Sequence, residues 1–397
     1  EHIENIVKFG VRTAGSAAAQ KTEAYFAKTC ESYGLHAIVE DFTEKCYEPI
    51  QTKLTVKSPF SKEIECTAMM FGGITKAEGT ESELVFVGRG REEDFQGKDV
   101  NGKIVLFERN PDFSTDSFYS EVNLASKNGA IGAIMANYQP WPFNGTLESG
   151  LFKGEDRLLP IDPLIPAGCI SSESGQFLKN ALEKNALTVN LFVDAISGDR
   201  LTSNVRCLIP GTAFPNERII ICGHLDTEGN LGANDNASGL SIMLELARVL
   251  SEHPSKRTIE LLAIGCEEVS SMGSLNYCRR HAADLKEIVC VLNIDMVGVG
   301  GDLHIITEGR WPDRLIPTPD WLYLFVKATA KELNYKVKFD ICPLGTSDEG
   351  RFNDAGVPAV FFWKPGDEHY HSSLDVPEYV DPNNLKVVAE IAGLAAY

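Results

Sequence analysis

A chain of 397 residues with 43% hydrophobic content exceeds one ordinary domain and is composed like a globular protein. Its formal net charge of −19 argues against nucleic acid or an anionic membrane as partner. No stretch approaches the roughly 20 apolar residues of a membrane span, and no low-complexity tract or repeat is present.

Near the start, Thr13-Ala14-Gly15-Ser16 precedes a helix with apolar positions Ala24, Phe26, Ala27 and Tyr33. Gly34 ends it, and a strand through His36, Ile38 and Val39 follows. The texture changes over residues 75–185. Strands are expected at Glu83–Gly88 and Val100–Phe107, then a helix through Val122, Ala125 and Ser126 that Gly129 closes. Ile131–Met135 and Pro166–Ser171 read as further strands, and a helix near Ser174–Leu182 completes the segment. It contains no catalytic constellation. Its aromatic loop, Tyr138–Phe152, sets Trp141 and Phe143 beside Pro140 and Pro142, and reads either as a surface or lid or as a self-packed loop core. Asn144-Gly145-Thr146 is a glycosylation acceptor if the host secretes the protein.

Beyond residue 186 buried strands alternate with helices. Arg218–Cys222 is an apolar run of the kind found in parallel sheets. Gly223 breaks it, and His224 and Asp226 follow at once. Asp235 then sits in a glycine-bracketed loop that opens a helix with apolar face Leu240, Met243, Leu244, Ala247 and Leu250. Strand Ile259–Cys266 ends in Glu267-Glu268, ahead of a helix through Tyr277 and Arg280. Strand Glu287–Ile294 ends in Asp295, and Val357–Trp363 leads to Tyr370-His371-Ser372-Ser373-Leu374-Asp375. One strand-end carboxylate is more often a helix cap than a ligand, and His224 with Asp226 suits a structural pair. Four successive strands ending in His, Glu-Glu, Asp and His fit that explanation poorly. Adjacent carboxylates repel unless a cation or a proton intervenes. Two imidazoles and three carboxylates, with one acid to spare, are what two close divalent ions require.

These motifs, His-Leu-Asp, Gly-Ala-Asn-Asp-Asn-Ala-Ser-Gly, Glu-Glu-Val before Gly-Ser, Asn-Ile-Asp-Met and Tyr-His-Ser-Ser-Leu-Asp, resemble the co-catalytic zinc exopeptidases, the family of bacterial leucyl aminopeptidases and plasma glutamate carboxypeptidase. The resemblance covers residues from about 200 to the end and, weakly, the first sixty. It implies a three-layer α/β/α fold with a mainly parallel mixed sheet, formed by residues 1–74 and 186–397. Gly-Lys-Ile-Val and Gly-Ala-Ile-Gly-Ala resemble the protease-associated domain, an α+β insert over residues 75–185 that shapes the approach to the site or serves as a spacer.

The resemblance further implies two Zn²⁺ per chain. One would be held by His224, Asp235 and Asp295, the other by His371, Asp235 and Glu268, with Asp235 bridging and the peptide bond after it often cis. Glu267 would be the general base toward a bridging water or hydroxide. Asp226 would accept the far N–H of His224 and fix its tautomer; Asp375 would serve His371 in the same way. Tyr370 matches the tyrosine that some members aim at the oxyanion, and Asp348 in Gly345-Thr346-Ser347-Asp348 would support the site. Met296, Val297, Leu344, Gly345, Phe352 and Phe361 would line an apolar side-chain pocket, or belong to the core. The expected activity is hydrolysis of N-terminal residues from peptide substrates.

Three other classes stay open. A carboxypeptidase or dipeptidase on the same scaffold needs a cation for the terminal carboxylate, and Arg279, Arg280, Arg310, Arg314 and Arg351 are available. A glutaminyl cyclase usually lacks the insert. A non-catalytic binding protein of the transferrin-receptor kind has lost its metal site, whereas every ligand position is filled here. Among the ten cysteines, Cys222, Cys266 and Cys290 read as small buried hydrophobes, and no CxxC pair suggests a cysteine zinc site. The chain opens at Glu1 without methionine or signal peptide, compatible with a processed secreted enzyme or a trimmed chain. Extracytoplasmic placement is slightly favoured by the insert, and oligomeric state is open.

Overall fold

The computed structural model describes residues 1–109, 119–147, 164–311, 314–342 and 345–397, without the side chains of 310 and 311. Leu344, the side chain of Arg310 and the end of the aromatic loop at Phe152 therefore lie outside the described residues. The chain divides into two compact units: Glu1–Cys46, Asp199–Tyr370 and Leu374–Tyr397 form the first, and Tyr47–Gly198 with His371–Ser373 the second.

In chain order, α1 (His2–Val7) and α2 (Ala17–Ser32) precede β1 (His36–Ser58), β2 (Lys62–Ile64), β3 (Thr67–Ala68), β4 (Thr80–Phe86) and β5 (Ile104–Glu108). Then come α3 (Tyr119–Lys127), β6 (Gly132–Ala136), β7 (Ala167–Ile170), α4 (Ser172–Leu182) and β8 (Thr188–Ile209). The alternation expected from sequence follows: β9 (Phe214–His224), α5 (Ala237–Glu252), β10 (Arg257–Ile264), α6 (Met272–Arg280) and β11 (Ile288–Ile294). The chain closes with β12 (His304–Trp311), β13 (Arg314–Pro317), α7 (Asp320–Glu332), β14 (Lys338–Ile341), α8 (Glu349–Asp354), β15 (Ala359–Trp363) and α9 (Pro382–Ala396).

In the first unit the strand order is β13-β12-β15-β11-β9-β10-β8, with β14 also paired to β12. Neighbours among β15, β11, β9 and β10 run parallel, while β8 on β10 and β12 on β15 are antiparallel. The sheet is thus mixed and mainly parallel at its centre. Burial along β9 shows why helices cover both faces. Ile219 and Ile221 pack into one apolar cluster with Phe26 of α2, Leu240 of α5, Val326 of α7 and Ile391 of α9. Ile220 and Cys222, turned the other way by the period of two, pack with Tyr277 of α6 and Phe352 of α8. Neither face can meet water from Ile219 to Cys222, so that stretch of β9 reads as an unbroken apolar run.

In the second unit β4, β5, β6 and β7 are parallel, with β8 antiparallel to β4 and β3 to β7. Leu84, Ile104, Leu106, Ile134, Leu178 and Leu191 are among its core residues. The long strands β1 and β8 carry the chain in and out, so the unit starts before residue 75 and ends after 185. Along β1 the inward positions continue as Glu40, Phe42, Glu44 and Cys46; two are glutamates, which hides the strand from a hydrophobicity reading. The described part of the aromatic loop packs as a loop core. Phe143 and Asn144 are each 4% exposed, the Phe143 carbonyl accepts from Thr67 Oγ1 at 3.0 Å, and the Arg109 guanidinium lies 3.8 Å over the Phe143 ring.

The middle of β8, β9 and β10 carries a closed ion cluster. Buried Glu260 accepts from Arg206 Nε at 2.5 Å, Arg218 Nη1 at 3.0 Å and the Tyr277 hydroxyl at 3.0 Å. Arg206 Nη1 also reaches Glu40 Oε1 at 2.8 Å, and His281 Nε2 lies 3.0 Å from the same carboxylate. Every charged group there faces an opposite one.

Candidate metal centre

The carboxyl ends of β9, β10 and β11 bring the expected acids to one edge of the first unit. His224 is the last residue of β9 and is buried. Its Nδ1 lies 3.1 Å from the carbonyl oxygen of Asp226. With Nδ1–H donating to that oxygen, Nε2 lies 2.9 Å from Asp235 Oδ1 and 3.2 Å from Asp295 Oδ1. A proton on it there is shared with the carboxylates, and its lone pair, once that proton is lost, would serve an ion held between them. The three residues offer ligand atoms within 4.8 Å of one another, a group able to hold an ion. Burial pulls the imidazole down, but the charges of Asp295 and Asp235 outweigh it and raise the group well above its ordinary value. A cation between the carboxylates would replace that proton.

The loops are stitched by side chains that the motif reading passed over. Asn236 caps α5 by accepting from Gly239 N at 2.9 Å and donates to Ile294 O at 2.9 Å. Asn234 Oδ1 accepts from Gly298 N at 2.8 Å, joining the Asp235 loop to the one after Asp295. The peptide bond Asp235–Asn236 is cis, as the resemblance implied. Ser347 donates to Asp295 Oδ2 at 2.8 Å. Cys266 and Met296, which flank Glu267 and Asp295, and His371 itself all hold φ between 49° and 62°. Left-handed backbone at non-glycine positions collects at functional loops.

Two supporting aspartates act differently from expectation. Asp226 does not take the imidazole on its carboxylate, whose Oδ1 is 4.0 Å from His224 Nδ1. It accepts the backbone N–H groups of Glu267 at 2.9 Å and Glu268 at 3.2 Å, aiming both glutamates from beneath. Asp375 accepts from Asn234 N at 2.7 Å and Asp235 N at 3.1 Å, so it braces the Asp235 loop and not His371. Buried Asp348 and Asp375 are pushed up to about 7, chiefly by burial. Burial also drives Glu267 well above its usual range; the His224 charge opposes this, and Asp348, Glu268 and Asp295 add to it.

Glu268 lies beside a residue the sequence reading missed. Glu228, 2% exposed, offers a carboxylate oxygen within 4.8 Å of one from Glu268. It lies two residues after Asp226 in the same loop, and that proximity was the available signal. His371 belongs with the second unit, where its carbonyl accepts from Asn144 N at 2.7 Å and its ring centroid lies 5.6 Å from that of Phe143. Tyr370 and Leu374, which bracket His371–Ser373 in the chain, are in the first unit. Tyr370 packs on Met296, Cys342, Phe361 and Trp363. Val297 and Phe352, named for a pocket lining, are fully buried core residues. Of the arginines suggested for a carboxylate, Arg280 reaches Asp41 O at 2.6 Å, Arg314 reaches Asp354 at 2.5 Å, and buried Arg351 reaches Ser270 O at 2.6 Å.

Buried acids thus crowd one edge while His224 and Arg12 supply positive charge there. Carboxylate oxygens combined with an imidazole nitrogen form a donor set that zinc accepts.

Comparison with known proteins agrees. Residues 204–396 match peptidase family M28, and residues 74–178 match the PA domain. The chain is similar to aminopeptidase YwaD of Bacillus subtilis (strain 168), 27% identical over 409 residues that cover 98% of this chain and 81% of that one. It is similar to carboxypeptidase Q of Xenopus laevis, 24% identical with 98% and 82% covered. The crystal structure of BSAP, a zinc aminopeptidase from Bacillus subtilis, superposes with a TM-score of 0.78 at 25% identity, covering 100% of this chain and 93% of that one.

Proposed function

Starting from the match of residues 204–396 to peptidase family M28 and of residues 74–178 to the PA domain, we propose that this hydrolase removes N-terminal residues from peptides and uses two zinc ions. The observation that carries the reading is the convergence of His224 and Asp295, at the ends of strands that the sheet holds in register, with Asp235 from the loop before α5. These three would hold one ion, and His371, Asp235 and Glu268 the other. Zinc there supplies a Lewis acid for the scissile carbonyl and lowers the pKa of water toward about 7.

The protein's own groups do the rest. Glu267, aimed by the Asp226 carboxylate through its backbone N–H, takes the proton of the attacking water and returns it to the leaving amine. Its elevated affinity for protons suits that exchange. Tyr370 would donate to the developing oxyanion. The acid-rich edge favours a substrate's free ammonium over a free carboxylate. Arg280, Arg314 and Arg351 are each engaged by partners in the first unit, which weighs against the carboxypeptidase reading that carboxypeptidase Q suggests.

Bound metal per chain, measured beside hydrolysis of aminoacyl-nitroanilides and their N-blocked analogues before and after chelation, tests this. About two zincs with chelator-sensitive cleavage of free-amine substrates is expected. Cleavage of blocked substrates at equal rate would remove the aminopeptidase assignment. Asp235→Ala should lose both ions, and a variant keeping two would break the bridging role.

A further inference from the structure

Arg12 stands at the head of the Thr13-Ala14-Gly15-Ser16 segment, which sequence marks only as the approach to a helix. In the structure it is one of the largest fully buried side chains among the described residues, 0% exposed. Its guanidinium reads three main-chain carbonyls on two sides of the proposed metal site. Nε donates to Leu225 O at 3.0 Å, Nη1 to Leu231 O at 2.5 Å and Nη2 to Gly232 O at 3.0 Å. Leu225 follows ligand His224, and Gly232 lies three residues before ligand Asp235. The arginine's own backbone is fixed by the same loop, since its N–H donates to Thr227 Oγ1 at 3.0 Å and its carbonyl accepts from Thr227 N at 3.2 Å.

The fit leaves no slack. Gly232 holds φ +56°, and a Cβ there would stand 2.9 Å from Arg12 Nη2 and 2.1 Å from Asp235 O. Burial lowers Arg12 to about 10, opposed by Asp375, Asp226, Asp235 and Glu268, so it remains a cation at neutral pH. A buried cation donating three hydrogen bonds to carbonyls, and none to a carboxylate, spends its geometry on loop shape.

We propose that Arg12 is a positioning residue for metal retention: its planar fork locks the 225–232 loop so that His224 and Asp235 are presented already set for an ion. This rests on the zinc-site reading above. A lysine keeps the charge but cannot span three carbonyls in one plane, so charge and shape can be separated.

The experiment compares wild type, Arg12→Lys and Arg12→Met for the rate of zinc release to a chromogenic chelator, for the visible spectrum of the cobalt-substituted protein, and for amide exchange at 233–235. Those amides donate to Asp375 and report loop order without any metal. Zinc release about ten- to a hundredfold faster in both variants, with an altered cobalt spectrum, is expected. Amides 233–235 should lose protection while those of β9 and β10 keep it. Release in Arg12→Lys within twofold of wild type overturns the proposal, because charge alone then suffices. If Arg12→Met does not fold, the lysine variant decides alone. A wild type that binds no zinc would sink the function proposed above, and the exchange measurement would still decide this inference: unchanged protection at 233–235 in Arg12→Lys rejects it.

Discussion

The strands β9 and β10 carry two charged clusters built on opposite terms. Along their middle, Glu260 and Glu40 face Arg206, Arg218 and His281, with the Tyr277 hydroxyl filling a remaining acceptor site. At their carboxyl ends Asp226, Glu228, Asp235, Glu268, Asp295, Asp348 and Asp375 gather around Arg12 and His224. The first cluster closes on itself and asks for nothing. The second has acids in excess, and buried acids in excess demand protons or cations from outside. Charge balance, more than the count of ionisable groups, separates a structural network from a binding site here.

Substitutions that attack each cluster separately test this contrast. The largest effect belongs to Glu267→Gln, which should lower kcat by roughly 10²–10⁴ while zinc content stays at the wild-type level. Retained turnover in that variant would remove Glu267 as the base. Next, Glu260→Gln leaves Arg206 and Arg218 facing a neutral amide and should cost about 3–5 kcal/mol in denaturant titration, with kcat per folded molecule unchanged. If catalysis falls and stability does not, the closed cluster is no mere scaffold.

A smaller effect concerns Glu23, which burial pushes up to about 7 from 4.5, against the hydrogen bonds of Ser203. Its proton is bound more tightly folded than unfolded. The stability this group contributes is therefore fully present below about pH 4.5 and is lost as pH rises through about 7, by on the order of 3 kcal/mol at most. Glu23→Gln should match wild type at low pH and melt higher above pH 7; equal melting at pH 8 would show that the carboxylate is already comfortably solvated. Smallest is Ser347→Ala, which removes one hydrogen bond from Asp295 and should speed zinc release about tenfold. Release at the wild-type rate would mean that Asp295 is held by its strand alone.

Much of the catalytic half was readable because its signals are local. Apolar runs end abruptly in charged residues, and glycine-bracketed loops mark the turns, so His224, Asp235 and Asp295 could be named before they could be placed together. What escaped depends on partners far away in sequence. Arg12 meets Leu225 and Leu231 across more than two hundred residues, and nothing around it announces burial. Glu40 and Glu44 look like surface residues until the ion cluster and β1 account for them. The supporting aspartates were identified, but their hydrogen bonds run to main-chain N–H groups, which carry no side-chain pattern to read.

One detail of the insert bears on how the protein can be produced. The acceptor Asn144 of the Asn-Gly-Thr triplet is 4% exposed, and its N–H is spent on the His371 carbonyl. A glycosylating secretory host modifies the chain as it emerges, before burial shields that side chain. An oligosaccharide on Asn144 has no room in the folded unit, so only unmodified chains would reach the native state. Thr146 Oγ1 has no hydrogen-bond partner among the described residues. Thr146→Val therefore erases the acceptor triplet at little structural cost, and yield from such a host should rise.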